Sequence, residues 1–187
     1  MLSGKVKKML RKNIFITGFM GTGKSTVAIA LADKMNKKCI DMDILIEKKE
    51  GKSITDIFND EGESYFRKVE REVLKEVIKQ NDLVVATGGG TLLNDENYQL
   101  ARENSAIILL KANPEIIFNR LKEDGERPLL SEKNKLDRIK SLMEERKDQY
   151  SRFGYSVDTS NLPVAQVVDE IIKIYRREYD EDNISEI

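Results

Sequence analysis

The stretch GFMGTGKST at residues 18–26 constrains the fold of this chain more than any other feature of its sequence. It follows the apolar run NIFIT, which is typical of a buried strand, and it leads into VAIALADKM, which is typical of a helix. Glycines let backbone N–H groups converge on an anion, and the positive end of the following helix points at the same place. The sequence therefore predicts a strand, a phosphate-binding loop and a helix in direct succession.

The spacing within this stretch matches the motif G-x-x-x-x-G-K-[S/T] through Gly18, Gly23, Lys24 and Ser25. In such a loop the lysine reaches the β- and γ-phosphates and the hydroxyl binds Mg²⁺, so we expect ATP and Mg²⁺ here. A glycine-rich turn before an ordinary helix is the alternative, but the strand and the helix on either side favour nucleotide binding. The loop residues expected to contact ATP are Gly21, Thr22, Gly23, Lys24, Ser25 and Thr26.

Short apolar runs alternate with longer segments of helical period along the chain, which is the pattern of parallel strands joined by crossover helices. The predicted fold class is therefore α/β. The continuous apolar character of the strands suits a sheet that is covered on both faces. The predicted strands are NIFIT (13–17), KCID (38–41), LVVAT (83–87), AIILLK (106–111) and SVDT (156–159).

Three helices stand out between and after these strands. Apolar residues at spacings of three and four predict a long amphipathic helix. The residues of this stripe are Phe66, Val69, Val73 and Val77. Asn113 and Pro114 are typical of the cap and the first position of a helix, and that helix is expected to end at Gly125. A C-terminal helix is predicted at 162–179.

The composition limits the chemistry that is open to the chain. It contains no histidine and one cysteine, so a zinc site or a histidine-based catalytic triad is excluded. Asp, Lys, Arg and backbone groups must therefore carry any catalysis. Cys39 lies near the start of a predicted strand, and we expect a buried thiol in a reducing cytoplasm.

The length of 187 residues suits one domain, which we assign to 13–179, between a basic N-terminal extension at 1–12 and an acidic tail at 180–187. The formal net charge of −1 comes without a sustained basic stripe, which argues against a nucleic-acid partner. No apolar run approaches the roughly 20 residues of a spanning helix, so no membrane partner is expected. We expect a cytoplasmic monomer that acts on small molecules.

Two further motifs follow predicted strands. DMD places Asp41 and Asp43 at the C-terminal end of the second strand, where open α/β sheets bind ligands, and an extended backbone would turn both carboxylates to one side. One carboxylate could hold Mg²⁺ through water while the other accepts a proton, or Asp43 could simply cap the next helix. TGGG at 87–90 predicts either a close approach to the main chain or a plain turn.

Together these motifs resemble those of the shikimate kinases, small P-loop kinases that phosphorylate the 3-hydroxyl of shikimate with ATP in the biosynthesis of chorismate and the aromatic amino acids. The resemblance runs from about residue 13 to about residue 175. It implies a three-layer α/β/α P-loop kinase fold whose central, mainly five-stranded parallel sheet has the strand order 2-3-1-4-5. It rests on GFMGTGKS, DMD, SITDIFNDEGESYFRKVE, ATGGG, RLKEDGERPLL and MEERKDQY, in the family's order.

The resemblance implies how the acceptor is bound. Asp43 would bind the ring hydroxyls and assist deprotonation of the one that attacks. Two guanidinium groups would grip the carboxylate, which they recognise bidentately, as lysine cannot. Taken singly, Arg67 and Arg146 are each typical of a solvated surface residue. Only the family motifs favour a role in carboxylate binding. The residues implied to bind shikimate are Asp43, Arg67, Gly88, Gly89, Gly90 and Arg146.

The resemblance also implies the residues on the ATP side. Lys24 and Arg127 would stabilise the transferring phosphoryl group, and Arg127 would belong to a mobile lid near 121–133 that closes over the phosphates. Without the motif, the segment around Arg127 is typical of an ordinary loop. Arg120 would lie against the adenine. Asp41 would help to hold the Mg²⁺ shell through water, beside Ser25.

Two rival functions remain open at this stage. Another small P-loop kinase, acting on gluconate or a nucleoside monophosphate, would share the loop and the fold. A nucleotide-gated interaction protein would share the loop alone. Asp43, Arg67, the glycine triplet and Arg146 argue against an interaction protein, because such a protein has no use for a pocket that fits a polyol carboxylate.

Overall fold

The computed structural model describes residues 13–124 and 135–179. Within them five parallel strands form one sheet in the order β2-β3-β1-β4-β5, which confirms the predicted fold class and strand order. Each predicted strand is confirmed to within one residue at either end. The strands are β1 (Asn13–Gly18), β2 (Lys38–Asp41), β3 (Leu83–Ala86), β4 (Ser105–Lys111) and β5 (Ser156–Asp158).

Nine α-helices and one 3₁₀ turn, Thr91–Leu93, connect the strands within the described residues. The predicted helices after Asn113 and at the C-terminal end of the domain are confirmed, the second beginning at Val164. The helices are α1 (Lys24–Lys34), α2 (Met42–Glu50), α3 (Ile54–Asp60), α4 (Gly62–Ile78), α5 (Asp95–Asn104), α6 (Pro114–Asp124), α7 (Lys135–Glu145), α8 (Lys147–Ser151) and α9 (Val164–Tyr179).

The sheet separates two hydrophobic cores because successive side chains of a strand point to opposite faces. In β1, Phe15 packs into one core with residues of α2, α3, α4 and α5. Its neighbours Ile14 and Ile16 pack into the other core with residues of α1 and α9. Helices therefore cover both faces of the central strands, which gives the predicted three layers.

The predicted apolar stripe lies on α4 and packs against the first of these cores. Its four residues are all buried, with at most 4% of each exposed. Each such side chain stabilises the fold by about 1.5–3 kcal/mol relative to full exposure, so the stripe fixes α4 firmly on the sheet. The stripe residues are Phe66, Val69, Val73 and Val77.

A third, smaller apolar cluster lies under the glycine-rich loop. Phe19 of the loop packs with Ala112, Ile117 of α6 and Ile139 of α7. Since Ile117 and Ile139 are fully buried, this cluster ties α6 and α7 to the loop that follows β1.

The prediction of a buried thiol at Cys39 is wrong. β2 is an edge strand with β3 as its single neighbour, and its first two residues, Lys38 and Cys39, are exposed. An apolar run predicts a strand but not whether that strand lies at the edge of the sheet. The partial burial of the Cys39 thiol raises its pKa, and the nearby Asp41 carboxylate raises it further, so the thiolate is disfavoured.

Several predictions fall outside the described residues. They are the basic extension at 1–12, the acidic tail at 180–187 and most of the lid segment at 121–133, whose first residues form the end of α6. Among the helices within 13–124 and 135–179, none combines the length and the apolar character needed to cross a membrane.

Candidate active site

The loop between β1 and α1 has the backbone of an anion site. Gly18, Gly21 and Gly23 all have positive φ, at 146°, 74° and 88°. At Gly18 a Cβ would lie only 2.4 Å from the Leu110 carbonyl oxygen, so no other residue fits. Gly23 is the N-cap of α1 and brings no side-chain acceptor. The N–H groups of the first turn of α1 therefore face the loop, where a phosphate can accept from them.

Side chains of the loop reinforce its shape. The Thr22 hydroxyl and the Lys24 ammonium both donate to the Phe19 carbonyl, at 2.8 and 3.1 Å. Lys24 thus lies across the loop, with its charge over the place that the glycines enclose. This is the position from which a lysine can contact the outer phosphates of a nucleotide.

Ser25 and Asp41, predicted to hold Mg²⁺, are in direct contact. The Ser25 hydroxyl donates to Asp41 Oδ2 at 2.6 Å, although the two residues lie on different elements. A hydroxyl and a carboxylate are hard oxygen donors that fit Mg²⁺, which is commonly held by one or two such groups together with phosphates and water. Among the described residues no group of three or more His, Cys, Asp or Glu side chains could hold a metal.

The expectation that Asp41 and Asp43 project from one extended segment is wrong, because α2 begins at Met42. The alternative that Asp43 caps this helix is also wrong: Asp41 is the N-cap, and its Oδ1 accepts from the Asp43 N–H at 3.0 Å. Asp43 reaches the site from the first turn of α2 instead. A Cβ on Gly88 would lie 2.9 Å from Asp43 Oδ1.

The glycine triplet after β3 leaves space for functional side chains. None of its three residues has positive φ, so a plain turn does not explain them. A Cβ on Gly88 would meet Asp43, Thr91 and Glu70 at 2.9–3.2 Å, and a Cβ on Gly90 would meet the Arg67 guanidinium at 3.1–3.4 Å. The prediction of a close approach to this main chain is therefore confirmed.

The phosphate-binding loop and the triplet are themselves adjacent. A Cβ on Gly89 would lie 3.6 Å from both Gly18 O and Met20 N. This proximity follows from the sheet order, since β3 pairs directly with β1 and both loops leave the carboxyl ends of these strands. A molecule at the triplet therefore lies beside the phosphates of a nucleotide in the loop.

Arg67 is held from two sides on α4. Its Nη1 donates to Glu70 Oε2 at 2.9 Å, while Nε and Nη2 donate to Glu63 Oε1 at 3.3 and 3.2 Å. Burial would lower the pKa of Arg67, but the carboxylates of Glu70 and Glu63 outweigh it and raise the pKa above its ordinary value. The guanidinium is thus a permanent cation at the edge of the triplet.

Arg146 approaches the same region from the opposite side. It is the N-cap of α8, and its guanidinium lies over the Phe19 ring at 5.5 Å from the ring centre. One turn later, the Tyr150 hydroxyl donates to the Gly89 carbonyl at 3.3 Å. Burial raises the pKa of Tyr150, against the opposing effect of Arg146, so this hydroxyl keeps its proton at neutral pH.

Arg120 lines a cavity of about 320 Å³ beside the loop. Its guanidinium donates to the Thr159 carbonyl at 2.7 Å and to the Gly21 carbonyl at 3.3 Å. Part of the rest of the lining consists of aliphatic side chains, on which a flat base can pack. The other lining residues are Thr22, Gly23, Thr26, Val27, Leu162, Val164 and Val167.

Comparison with known proteins agrees with this geometry. The family model described as shikimate kinase matches residues 20–176, which is most of the chain. The chain belongs to the shikimate kinase family. It is 45% identical over 167 residues to the shikimate kinase of Sulfurihydrogenibium sp. strain YO3AOP1, covering 89% of this chain and 99% of that protein. It is 42% identical to the shikimate kinase of Caldanaerobacter subterraneus subsp. tengcongensis, covering 88% and 96%.

Solved structures extend the likeness to shikimate kinase in three dimensions. The shikimate kinase from Acinetobacter baumannii in complex with shikimate matches with a TM-score of 0.84 and 30% identity, over 90% of this chain and 95% of that one. The shikimate kinase from Aquifex aeolicus matches with a TM-score of 0.78 and 37% identity, over 90% and 99%. A gluconokinase from Sinorhizobium meliloti, at 17% identity and a TM-score of 0.59, shares the fold alone.

The structure brings together most of the site residues that the shikimate kinase motifs predict. Asp43, Arg67 and the triplet adjoin one another, and Arg146 lies against the neighbouring phosphate-binding loop. Arg127 lies outside the described residues, so its predicted place in a lid stays a prediction.

Sequence reasoning missed the residues that hold the predicted ones in position. The spacing of the sequence could have pointed to Glu70. It lies four positions after Phe66 and three before Val73, so it falls on the apolar stripe of α4 although it is charged. Its side chain is only 1% exposed. Its Oε1 accepts from the Thr91 hydroxyl at 2.7 Å. Thr159, which binds Arg120 and donates to the Thr22 carbonyl, carries no such signal.

Proposed function

We infer that this chain transfers the γ-phosphoryl group of ATP to the 3-hydroxyl of shikimate, giving shikimate 3-phosphate and ADP. The chain is an ATP:shikimate 3-phosphotransferase of the shikimate pathway. The observation that carries this conclusion is the direct adjacency of the phosphate-binding loop to a glycine triplet flanked by Asp43 and Arg67. A nucleotide switch would need the loop but not the carboxylate and guanidinium beside it.

Catalysis consists mainly of alignment and of neutralising charge on the transferring group, because phosphoryl transfer needs little covalent help from the protein. The N–H groups of the loop and the Lys24 ammonium hold the β- and γ-phosphates. Ser25 and Asp41 would hold Mg²⁺, Asp41 through water, and the ion would supply further charge neutralisation on the phosphates.

Acceptor recognition divides between charge and hydrogen bonding. Arg67 and Arg146 bind the shikimate carboxylate, for which a planar guanidinium is the matching donor. Asp43 accepts from a ring hydroxyl and takes the proton of the attacking one, which can leave late in a loose transition state. The backbone of Gly88–Gly90 lines the ring, where side chains would exclude it.

The remaining assignments rest on the family motifs together with the lining of the cavity around Arg120. Arg120 lies against the adenine in the cavity that it shares with Thr159 and Leu162. Arg127 closes over the phosphates with the segment near 121–133, which excludes water and so limits wasteful ATP hydrolysis.

The chain acts as a cytoplasmic monomer, without a nucleic-acid or membrane partner. The formal net charge of −1 supports the absence of a nucleic-acid partner.

An acceptor panel tests the proposal directly. Purified protein with ATP and Mg²⁺ is expected to release ADP with shikimate and not with gluconate or AMP, and chelation of Mg²⁺ is expected to abolish the reaction. Strong turnover of gluconate or AMP, with none of shikimate, would displace the proposal in favour of another P-loop kinase. ATP binding without turnover of any acceptor would favour an interaction protein.

A further inference from the structure

The two carboxylates that hold Arg67 differ sharply in exposure. The Glu70 side chain is 1% exposed, whereas the Glu63 side chain is 67% exposed. Glu70 has both oxygens engaged, one by Arg67 and one by the Thr91 hydroxyl. Removing Arg67 from Glu70 would leave a buried charge unpaired, so this contact is a fixed anchor.

The contact with Glu63 is exchangeable. Glu63 lies one helical turn before Arg67 on α4, and the two side chains form an exposed pair at i, i+4. Water can replace either partner at little cost, since exposed ion pairs of this kind contribute little to stability. An incoming anion can therefore take the place of Glu63 but not that of Glu70.

Glu63 occupies a part of the guanidinium that a carboxylate ligand would use. Its Oε1 accepts from both Nε and Nη2, which form one of the forked edges of Arg67. Bidentate recognition of a carboxylate needs two parallel donors of this kind. An anion at that edge must displace Glu63, and an anion elsewhere on the guanidinium is still repelled by its charge.

We propose that Glu63 is a tethered competitor for the anion site of Arg67 and thereby lowers the affinity of that site for small anions. The proposal rests on the function inferred above. Because Glu63 is carried on the same helix turn, it is always present beside Arg67. Small anions that contact only this guanidinium bind more weakly because of Glu63, while an acceptor that also contacts Asp43, the triplet and Arg146 displaces it.

Replacing Glu63 by glutamine tests the proposal. In Glu63→Gln the KM for shikimate is expected to fall about twofold to fivefold, the range that exposed ion pairs are worth, with kcat unchanged. Inorganic phosphate and acetate, used as competitive inhibitors against shikimate, are expected to bind more tightly by a similar factor. The KM for the methyl ester of shikimate, which lacks the carboxylate charge, is expected to stay the same.

Two matched variants control the result. Glu72→Gln removes one negative charge from the same helix without touching Arg67, since Glu72 pairs with Lys49, and it is expected to leave all three measurements unchanged. Glu63→Asp keeps the charge and is expected to keep wild-type inhibition by phosphate. The melting temperature of each variant reports whether the fold is intact.

The outcomes separate this inference from the proposed function. A higher or unchanged KM for shikimate in Glu63→Gln, or an equal change for the ester, would overturn the competitor role and make Glu63 a residue that merely positions Arg67. Wild-type protein without shikimate turnover would overturn the proposed function itself.

Discussion

Gly88 and Gly90 matter for the space that they leave, whereas Gly18 matters for its backbone. Gly18 has a φ of 146° and a carbonyl oxygen in the way of any Cβ. Gly90 has an ordinary φ of −115°, and a Cβ there would meet only the end of the flexible Arg67 side chain. A methyl group at Gly90 should therefore move Arg67 without disturbing the fold.

Gly90→Ala is expected to raise the KM for shikimate about tenfold, the lower end of the cost of losing a charge-assisted contact, with the KM for ATP unchanged. Steady-state kinetics with each substrate varied in turn measures both. Gly154→Ala is the matched control, since a Cβ there has no atom within 4 Å and the backbone is not left-handed. Equal KM values for shikimate in the two variants would contradict the proposed role of Arg67.

Lys24 and Asp43 are expected to affect turnover, in contrast to Arg67. Lys24→Ala or Asp43→Ala should lower kcat about a hundredfold or more, because each removes a group that acts on the reacting atoms. Arg67→Ala should mainly raise the KM for shikimate, since it removes binding shared by ground and transition states. Near-normal kcat in a folded Asp43→Ala variant would refute its role in proton transfer.

At the scale of secondary structure, the sequence predicts where helices and strands lie better than it predicts their burial or their contacts with one another. The strands and the stripe of α4 follow from local patterns that packing reinforces. The exposure of Cys39 does not follow from a local pattern. It depends on β2 lying at the edge of the sheet, which is set by the order of strands that are distant in sequence. The start of α2 at Met42 was missed because Asp41 ends a strand and caps a helix at the same residue. The contact of Arg67 with Gly90 joins separate elements and leaves no local signal.

The short helix α8 is expected to position Arg146 through the hydrogen bond between Tyr150 and Gly89. Tyr150→Phe removes that bond, and a neutral hydrogen bond contributes about 0.5–1.5 kcal/mol, so the KM for shikimate should rise about twofold to tenfold. The KM for ATP should not change. Tyr65→Phe, which removes an exposed hydroxyl bonded to Glu50, is the control. Equal effects of the two variants would contradict the positioning role of α8.

At the scale of the whole molecule, the two substrate sites should be separable by their effect on stability. Saturating ligand at about 100 times its Kd stabilises a protein by about 2.7 kcal/mol, which for this size raises Tm by about 5–10 °C. ADP with Mg²⁺ is expected to raise Tm, and shikimate is expected to raise it further. In Arg67→Ala the rise in Tm caused by ADP should persist, while the further rise caused by shikimate should disappear. Thermal unfolding with and without each ligand measures both. Loss of both increments would indicate damage to the fold.

Because β1 pairs directly with β3, the phosphate-binding loop and the glycine triplet leave the ends of neighbouring strands, which lie about 4.8 Å apart. The side chains proposed to recognise the acceptor lie instead on or beside α2, α4 and α8. The accepted alcohol can therefore change through substitutions on these helices, while the pairing of β1 with β3 keeps the spacing of the two loops.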